Sequence, residues 1–109
     1  MAKKPSTDEL SPFATPALVV LAVLADGPKH GYVIMQESER LSGQAMGPGT
    51  LYAALARLER RGLIEAVPSD DRRRPYRLTG LGATTLQAHL DQLQSFTHQA
   101  LGRLEGGAA

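Results

Sequence analysis

The chain has 109 residues, enough for one small domain with its own core and too few for two. Twelve lysines and arginines nearly balance eleven acidic residues, so the net charge of +1 favours no class of partner. The chain has no cysteine, which excludes disulfides and thiolate metal sites and is typical of a cytoplasmic protein. Residues 13–25 are too short an apolar run for a bilayer, and the N-terminus lacks the apolar segment of a secretory signal, so we expect no membrane association.

The N-terminal part of the chain predicts an arm followed by a central helix. Residues 1–12 are polar and contain two prolines, which favours a mobile arm. Thr15 and Pro16 have the residue types of an N-cap and a first helical position. The segment 17–25 is almost wholly apolar, so we expect it to form a short helix in the middle of the core. Gly27 is expected to end this helix in the left-handed conformation, before Pro28.

A second helix is predicted over residues 31–41. Ile34, Ser38 and Leu41 would share its buried face, and Gly43 would cap its C-terminus. The glycine-rich segment that follows lacks the lysine of a phosphate-binding loop, and no strand precedes it.

The third helix is predicted to start at Gly47-Pro48 and to end at Gly62. Leu51, Leu55 and Leu58 recur at helical spacing and form an apolar face. The opposite face is small and basic, which would let it approach a nucleic acid closely and contact phosphates or guanine edges. Its members are Gly49, Ala53, Ala56, Arg57 and Arg60, flanked by Thr50, Tyr52 and Arg61. An ordinary helix with a solvated charged side is the alternative.

Two strands are predicted next, over residues 63–67 and 72–78, with a turn at 68–71. Pro75 cannot donate to a ladder, so we expect the returning strand at an edge. Residues 57–77 contain seven arginines and four acidic residues, and Arg72, Arg73 and Arg74 lie together at the tip. Three adjacent arginines favour an anionic partner such as DNA over a merely solvated hairpin.

The last element is a long helix predicted over residues 81–104, about 36 Å at 1.5 Å per residue. Its apolar stripe keeps a spacing of four and three residues, which favours packing against a second copy of the chain over folding back on its own core. The predicted dimerisation residues are Leu86, Leu90, Leu93, Thr97, Leu101 (or Ala100) and Leu104. Residues 106–109 are expected to form a disordered tail.

The order of these elements predicts a mainly α fold with a small β wing. Residues 13–79 would form a winged helix-turn-helix DNA-binding domain, and residues 80–105 a dimerisation helix. Three segments, GPKHGYVIMQE (27–37), GPGTLYAALARLERRGLIE (47–65) and RRRPYRLTGLGATTL (72–86), occur in the order and spacing of one family. On them, the chain strongly resembles the PadR family of bacterial transcriptional regulators. The absence of a second C-terminal domain is similar to its compact members.

The resemblance implies a dimeric repressor that releases DNA on meeting a small molecule, often aromatic. Gly49, Thr50 and Tyr52 match the GTLY signature that opens the recognition helix, and Arg72–Arg74 match the basic wing. His30, Gly31 and Tyr32 match the HGY start of the second helix. Gly31 would permit close helix packing, and Tyr32 would pack in the core with its hydroxyl near the DNA. Pro75 departs from the family pattern.

These observations lead to specific roles. Base reading is assigned to Thr50, Ala53 and Arg57, with Tyr52 bracing them, and phosphate contacts to Arg61, the arginine wing and either Lys29 or His30. A small aromatic effector is expected between paired helices, where Val19, Leu93, Phe96 and Ala100 would line its pocket; Phe96 as plain core is the alternative.

Other functions fit the sequence less well. No cofactor or metal is expected, because His89 and His98 are out of phase on one helix, and no catalytic set of residues indicates an enzyme. A winged-helix module that binds proteins rather than DNA is the main rival.

Overall fold

In a computed structural model, which describes residues 6, 8–10, 13–70 and 72–107, the chain forms four α-helices and a two-stranded sheet. The helices are α1 (Pro16–Val23), α2 (Gly31–Ser42), α3 (Pro48–Arg60) and α4 (Gly80–Gly107). The strands β1 (Ile64–Ala66) and β2 (Tyr76–Leu78) lie between α3 and α4 and pair antiparallel. This arrangement confirms the predicted mainly α fold with a small wing. Most of the predicted N-terminal arm lies outside the described residues.

Helix α1 lies at the centre of the core, as its composition predicts. It contacts α2, α3 and α4 and is buried on most of its circumference, including Val20 and Leu21. The Thr15 hydroxyl accepts a hydrogen bond from the Leu18 N–H at 3.2 Å, which confirms the predicted N-cap. The α-helix ends at Val23 and continues as a 3₁₀ turn, Leu24–Asp26. Gly27 has φ 142° and ψ 171°, so its predicted left-handed helical conformation is wrong, although it still requires glycine.

Helices α2 and α3 pack on α1 through the faces that their spacing predicts, with one exception. Ile34 and Ser38 of α2 are buried, but Leu41 is 58% exposed, so its predicted place on the buried face is wrong. The helix ends before Gly43, which adopts the left-handed φ of 72°. In α3 the buried residues are Leu51, Ala54, Leu55 and Leu58.

The wing is shorter than predicted, and Tyr76 of its second strand has a backbone partner on both sides. Tyr76 lies opposite Ala66 in β1, and on its other side its N–H donates to the Lys29 carbonyl at 2.9 Å. Strand β2 is an edge of this two-stranded sheet, as predicted, and the bridge from Tyr76 to Lys29 is an isolated pair on its outer side. Pro75 falls just before β2, where its missing N–H costs no ladder bond, and its carbonyl accepts from the Val67 N–H at 2.7 Å. The wing arginines precede the strand and lie in an irregular segment.

Helix α4 leaves the core after its first turns. Leu86 is 5% exposed and belongs to the same core as α1 and α3, so its prediction as a dimerisation residue is wrong. The physical reason is that the first turns of the helix pack on α1 of their own chain. Beyond Leu86, every side chain except Ala100 is exposed up to Gly107. The helix runs through Gly106 and Gly107, so the prediction that the disordered tail begins at residue 106 is wrong.

Candidate nucleic-acid interface

An open cleft of about 750 Å³ lies between the start of α2, the start of α3 and the arginine segment of the wing. It brings together side chains that are more than forty residues apart in the chain. Its lining combines basic and aromatic groups with a few small residues: His30, Gly31, Tyr32, Val33, Tyr52, Arg72, Arg73, Arg74 and Tyr76. Such a lining offers cationic donors for phosphates beside flat apolar surfaces.

Helices α2 and α3 approach each other closely at Gly31. A Cβ at this position would lie 3.1 Å from the Tyr52 hydroxyl, so the ring of Tyr52 lies directly against the backbone of α2. Tyr52 is nevertheless more than half exposed and turns its other side to the cleft. The predicted close packing at Gly31 is therefore present, and its partner is a residue of the same cleft.

Tyr32 is 64% exposed, so the prediction that it packs in the core is wrong. Its hydroxyl accepts a hydrogen bond from the Gln36 Nε2 at 3.1 Å, one helical turn further along α2. Tyr32 and Val33 lie off the face that carries Ile34 and Ser38, and both line the cleft. Sequence reasoning missed Val33, although its position about 100° from Ile34 on the helix was a usable signal.

Tyr76 connects the cleft to the wing. Burial raises the pKa of its hydroxyl, and the negative charge of Glu59 raises it further, as does the neighbouring Tyr52. The hydroxyl therefore stays protonated at neutral pH and remains able to donate a hydrogen bond.

The predicted recognition residues are exposed along α3 but are not all in the cleft. Ala53, Arg57 and Arg61 lie on the exposed side of the helix and at its end, outside the cleft lining. Thr50 lines a separate, smaller depression of about 120 Å³ between α1 and the start of α3. Gly49 has open space where a Cβ would be. Tyr52 belongs both to the cleft lining and to the exposed side of α3.

Lys29 does not reach this surface. Its side chain is only 14% exposed, and its ammonium group donates to the Val23 carbonyl at 2.8 Å and to the Asp26 carboxylate. Glu37 Oε2 lies 3.6 Å from the same nitrogen. The hydrogen bond and the charge of Lys29 lower the pKa of Asp26. The suggested phosphate contact by Lys29 is therefore wrong, and the residue instead ties the end of α1 to α2.

Arg77 is also engaged within the chain. Its Nε donates to Glu65 Oε1 at 2.8 Å, between residues directly opposite each other in β1 and β2. The arginines of the cleft lining are therefore residues 72–74, and β2 contributes none.

The residues predicted to line an effector pocket are not brought together within one chain. Phe96 and Ala100 line a shallow groove on α4 with Arg103 and three polar residues. Val19 is buried in the core and borders the depression that contains Thr50, and Leu93 lines neither space. The reason is the length of α4, which carries Phe96 and Ala100 past the end of the core. No cluster of histidine and carboxylate side chains suited to a metal occurs in the described part of the chain.

Three helices, a wing and a long terminal helix define a winged helix-turn-helix protein. The profile of the "Transcriptional regulator PadR-like family" matches residues 20–88. The chain therefore belongs to the PadR-like family of transcriptional regulators, which agrees with the expectation that it is not an enzyme.

The chain is also similar to individual proteins, one of them named as a transcriptional regulator. The chain is 36% identical over 88 residues to transcriptional regulator Rv3488 of Mycobacterium tuberculosis, covering 78% of this chain and 81% of that protein. It is 47% identical over 70 residues to an uncharacterized 37.1 kDa protein in transposon TN4556 of Streptomyces fradiae. That match covers 64% of this chain, which spans only 20% of the length of the transposon protein.

Solved structures share the fold. A transcriptional regulator from Clostridium thermocellum superposes with a TM-score of 0.69 at 24% identity, covering 92% of this chain and 97% of its own. The complex structure of hsRosR-SG superposes with a TM-score of 0.67 at 28% identity, covering 78% of this chain and 76% of that one. Among the described residues, no helix is both long and apolar enough to span a membrane.

Proposed function

We propose that this chain is a cytoplasmic, sequence-specific DNA-binding regulator that acts as a homodimeric repressor and releases DNA on binding a small molecule. The observation that carries the DNA-binding part is the cleft in which His30, Tyr52 and the three wing arginines meet beside the exposed side of α3. Membership of a family of transcriptional regulators supports the same conclusion.

The arrangement suits a duplex for geometric reasons. Helix α3 enters the major groove with Thr50, Ala53 and Arg57 toward base edges, while Arg72–Arg74 contact the flanking backbone. Ala53 and Gly49 leave room for close approach, and His30 and Arg61 supply further phosphate contacts. Base contacts then give specificity, and phosphate contacts fix the position of the protein.

The homodimer is supported by α4. Leu90, Leu93, Leu101 and Leu104 remain exposed along a helix of 28 residues, which is about 42 Å long. From Leu90 to Leu104 the stripe spans about 21 Å of this helix, and no other part of the described chain buries it. Paired with a second copy, it would place two α3 helices on successive major-groove segments, about 34–36 Å apart.

The effector proposal rests on the groove with Phe96 and Ala100. Arg103 borders it, so the groove suits a small aromatic compound, above all one with a negative charge. Leu93 would line this groove only from the second copy of the chain in the dimer. We expect no cofactor or metal. Calorimetric titration and gel shifts with planar aromatic acids test this proposal. We expect binding heat and loss of DNA retardation. The absence of both effects would refute the effector proposal.

The DNA-binding proposal is tested by selecting bound sequences from random duplexes and measuring gel shifts at about 50 and 200 mM salt. We expect Arg57→Ala to cost about 1–3 kcal/mol on the selected site and little on other sequences. We expect Arg73→Ala to weaken binding to all sequences and to reduce the salt slope by about one unit. Arg40→Ala removes the same charge from a depression outside the cleft and is the matched control.

A gel with no retardation at the lower salt would favour the rival function, a winged-helix module that binds proteins. Retardation that is equal for wild type and both arginine variants would refute the assigned roles while leaving DNA binding in place.

A further inference from the structure

Hydrogen bonds join the backbone just after α3 to the start of α4, although nineteen residues separate the two helices. Thr79, the residue before α4, lies beside Gly62 and Leu63, which follow α3. Its hydroxyl donates to the Gly62 carbonyl at 2.5 Å, and its N–H donates to the Leu63 carbonyl at 3.1 Å. The same hydroxyl accepts from the Gly82 N–H at 3.0 Å. Thr79 thus bonds both to the residues that follow α3 and to the first turn of α4.

These contacts of Thr79 with Gly62, Leu63 and Gly82 form what we call the joint, and Gly82 adds a close steric contact to it. Gly82 is buried, and a Cβ at this position would lie 1.9 Å from the Leu63 carbonyl oxygen and 2.9 Å from the carbonyl carbon. Both atoms belong to the backbone and cannot rotate away as a side chain would. Gly80, two residues earlier, has nothing within 4 Å of its Cβ position. Close contact is therefore a property of position 82 and not of the glycine-rich start of α4.

The joint determines the direction in which the long free part of α4 projects. Leu86, one turn after Gly82, is the last residue of α4 that is buried in the core. From there to Gly107 the helix projects past the rest of the chain. The segment 79–86 therefore sets the angle between α4 and α3.

We propose that Thr79 and Gly82 are positioning residues that fix this angle and thereby set the half-site spacing that the dimer accepts on DNA. This inference rests on the proposed function, in which α3 contacts DNA and α4 carries the dimer interface. Neither residue touches the DNA in this proposal; both act through the backbone of Gly62 and Leu63.

The length of α4 beyond Leu86 sets how far its end moves when the joint changes. Relief of the clash at an alanine in position 82 requires a displacement of about 1 Å. With Leu86 as the pivot, about 6 Å away along the axis, this displacement tilts α4 by about 10°. The tip at Gly107, about 31 Å beyond the pivot, then moves by about 5 Å. This is more than one base-pair step of about 3.4 Å.

The experiment compares Gly82→Ala with Gly80→Ala on DNA selected by the wild-type protein. The two half-sites are separated by spacers up to two base pairs shorter or longer than the selected one, and affinity is measured on each. We expect Gly82→Ala to lose at least about tenfold on the wild-type spacing, since the duplex must deform, and to prefer another spacing. Gly80→Ala should keep the wild-type preference.

Thr79→Val and Thr79→Ser separate positioning from stability. Valine removes the hydroxyl and both of its hydrogen bonds, whereas serine keeps them, so valine should broaden or shift the spacing preference and serine should restore it. Ile34→Val, a core change away from the joint, controls for a general loss of stability and should not alter the preference. If Gly82→Ala does not fold, the comparison at Thr79 decides.

Two failures have different signatures. A wild-type chain that enriches no sequence would overturn the proposed function, and the spacing role with it. A wild-type chain that binds a spaced site, with folded Gly82→Ala and Thr79→Val variants that keep its spacing preference, would overturn the joint alone.

Discussion

Two leucines on α4, Leu86 and Leu104, provide the sharpest test of where the core ends and the dimer begins. They lie on the same stripe of one helix, yet Leu86 is 5% exposed and Leu104 is 70% exposed. Alanine at each position keeps helix propensity high and removes the same atoms. Any difference between the two variants therefore comes from their surroundings.

The expected magnitudes follow from these exposures. Leu86→Ala leaves a cavity in the core and should lower the free energy of unfolding by about 2–5 kcal/mol. Full burial of a leucine contributes about 1.5–3 kcal/mol, so covering the exposed part of Leu104 contributes about 1–2 kcal/mol per copy. A symmetric dimer contains two copies, so Leu104→Ala should weaken dimerisation by roughly 30- to 1,000-fold.

Sedimentation gives the dimer dissociation constant, and urea unfolding at several protein concentrations gives the stability. Leu86→Ala should reduce stability with little change in the dissociation constant of the folded dimer. Leu104→Ala should raise the dissociation constant of the dimer and leave the stability of the folded monomer nearly unchanged. A dissociation constant for Leu104→Ala within about twofold of wild type would contradict a dimer interface at this position. A wild-type chain that is monomeric at micromolar concentration would contradict the dimer altogether.

Three smaller changes test local features. Thr15→Ala should cost about 1 kcal/mol of stability in urea unfolding, while Thr15→Ser should cost much less, because only alanine loses the N-cap bond; equal losses would contradict this. Gly43→Ala should destabilise by about 1 kcal/mol, because φ is 72° there, and an unchanged urea midpoint would argue against the left-handed cap. Lys29 lowers the pKa of Asp26, so this contribution to stability is present above the ordinary pKa of 3.8 and is lost as pH falls through the lowered value. Lys29→Met should return the Asp26 pKa, followed by NMR, toward its ordinary value; an unshifted titration would show that another group holds it down.

Local chemistry along the sequence accounts for most of the fold. Thr15-Pro16, Gly43 and Gly47-Pro48 mark helix ends because caps and first-turn prolines act through neighbouring backbone groups alone. The spacing of Leu51, Leu55 and Leu58 fixed the buried face of α3 for the same reason, since helical periodicity is a local property.

Features that depend on distant residues could not be read in this way. Lys29 looked like a free cation, but α1 and α2 surround its ammonium group with Val23, Asp26 and Glu37. Pro75 indicated an edge strand, and β2 is one, but nothing near Tyr76 in the sequence indicated its bridge to Lys29, 47 positions earlier.

The sequence by itself determined the order of helices and wing, the caps that end them and the basic character of the wing tip, because these depend on residues within a few positions of each other. Tertiary structure alone decided that Leu86 belongs to the core and that Tyr32 faces the cleft. It also decided that Gly82 lies against the Leu63 carbonyl. Each of these depends on which surface another segment covers, and periodicity in one helix carries no information about its neighbours.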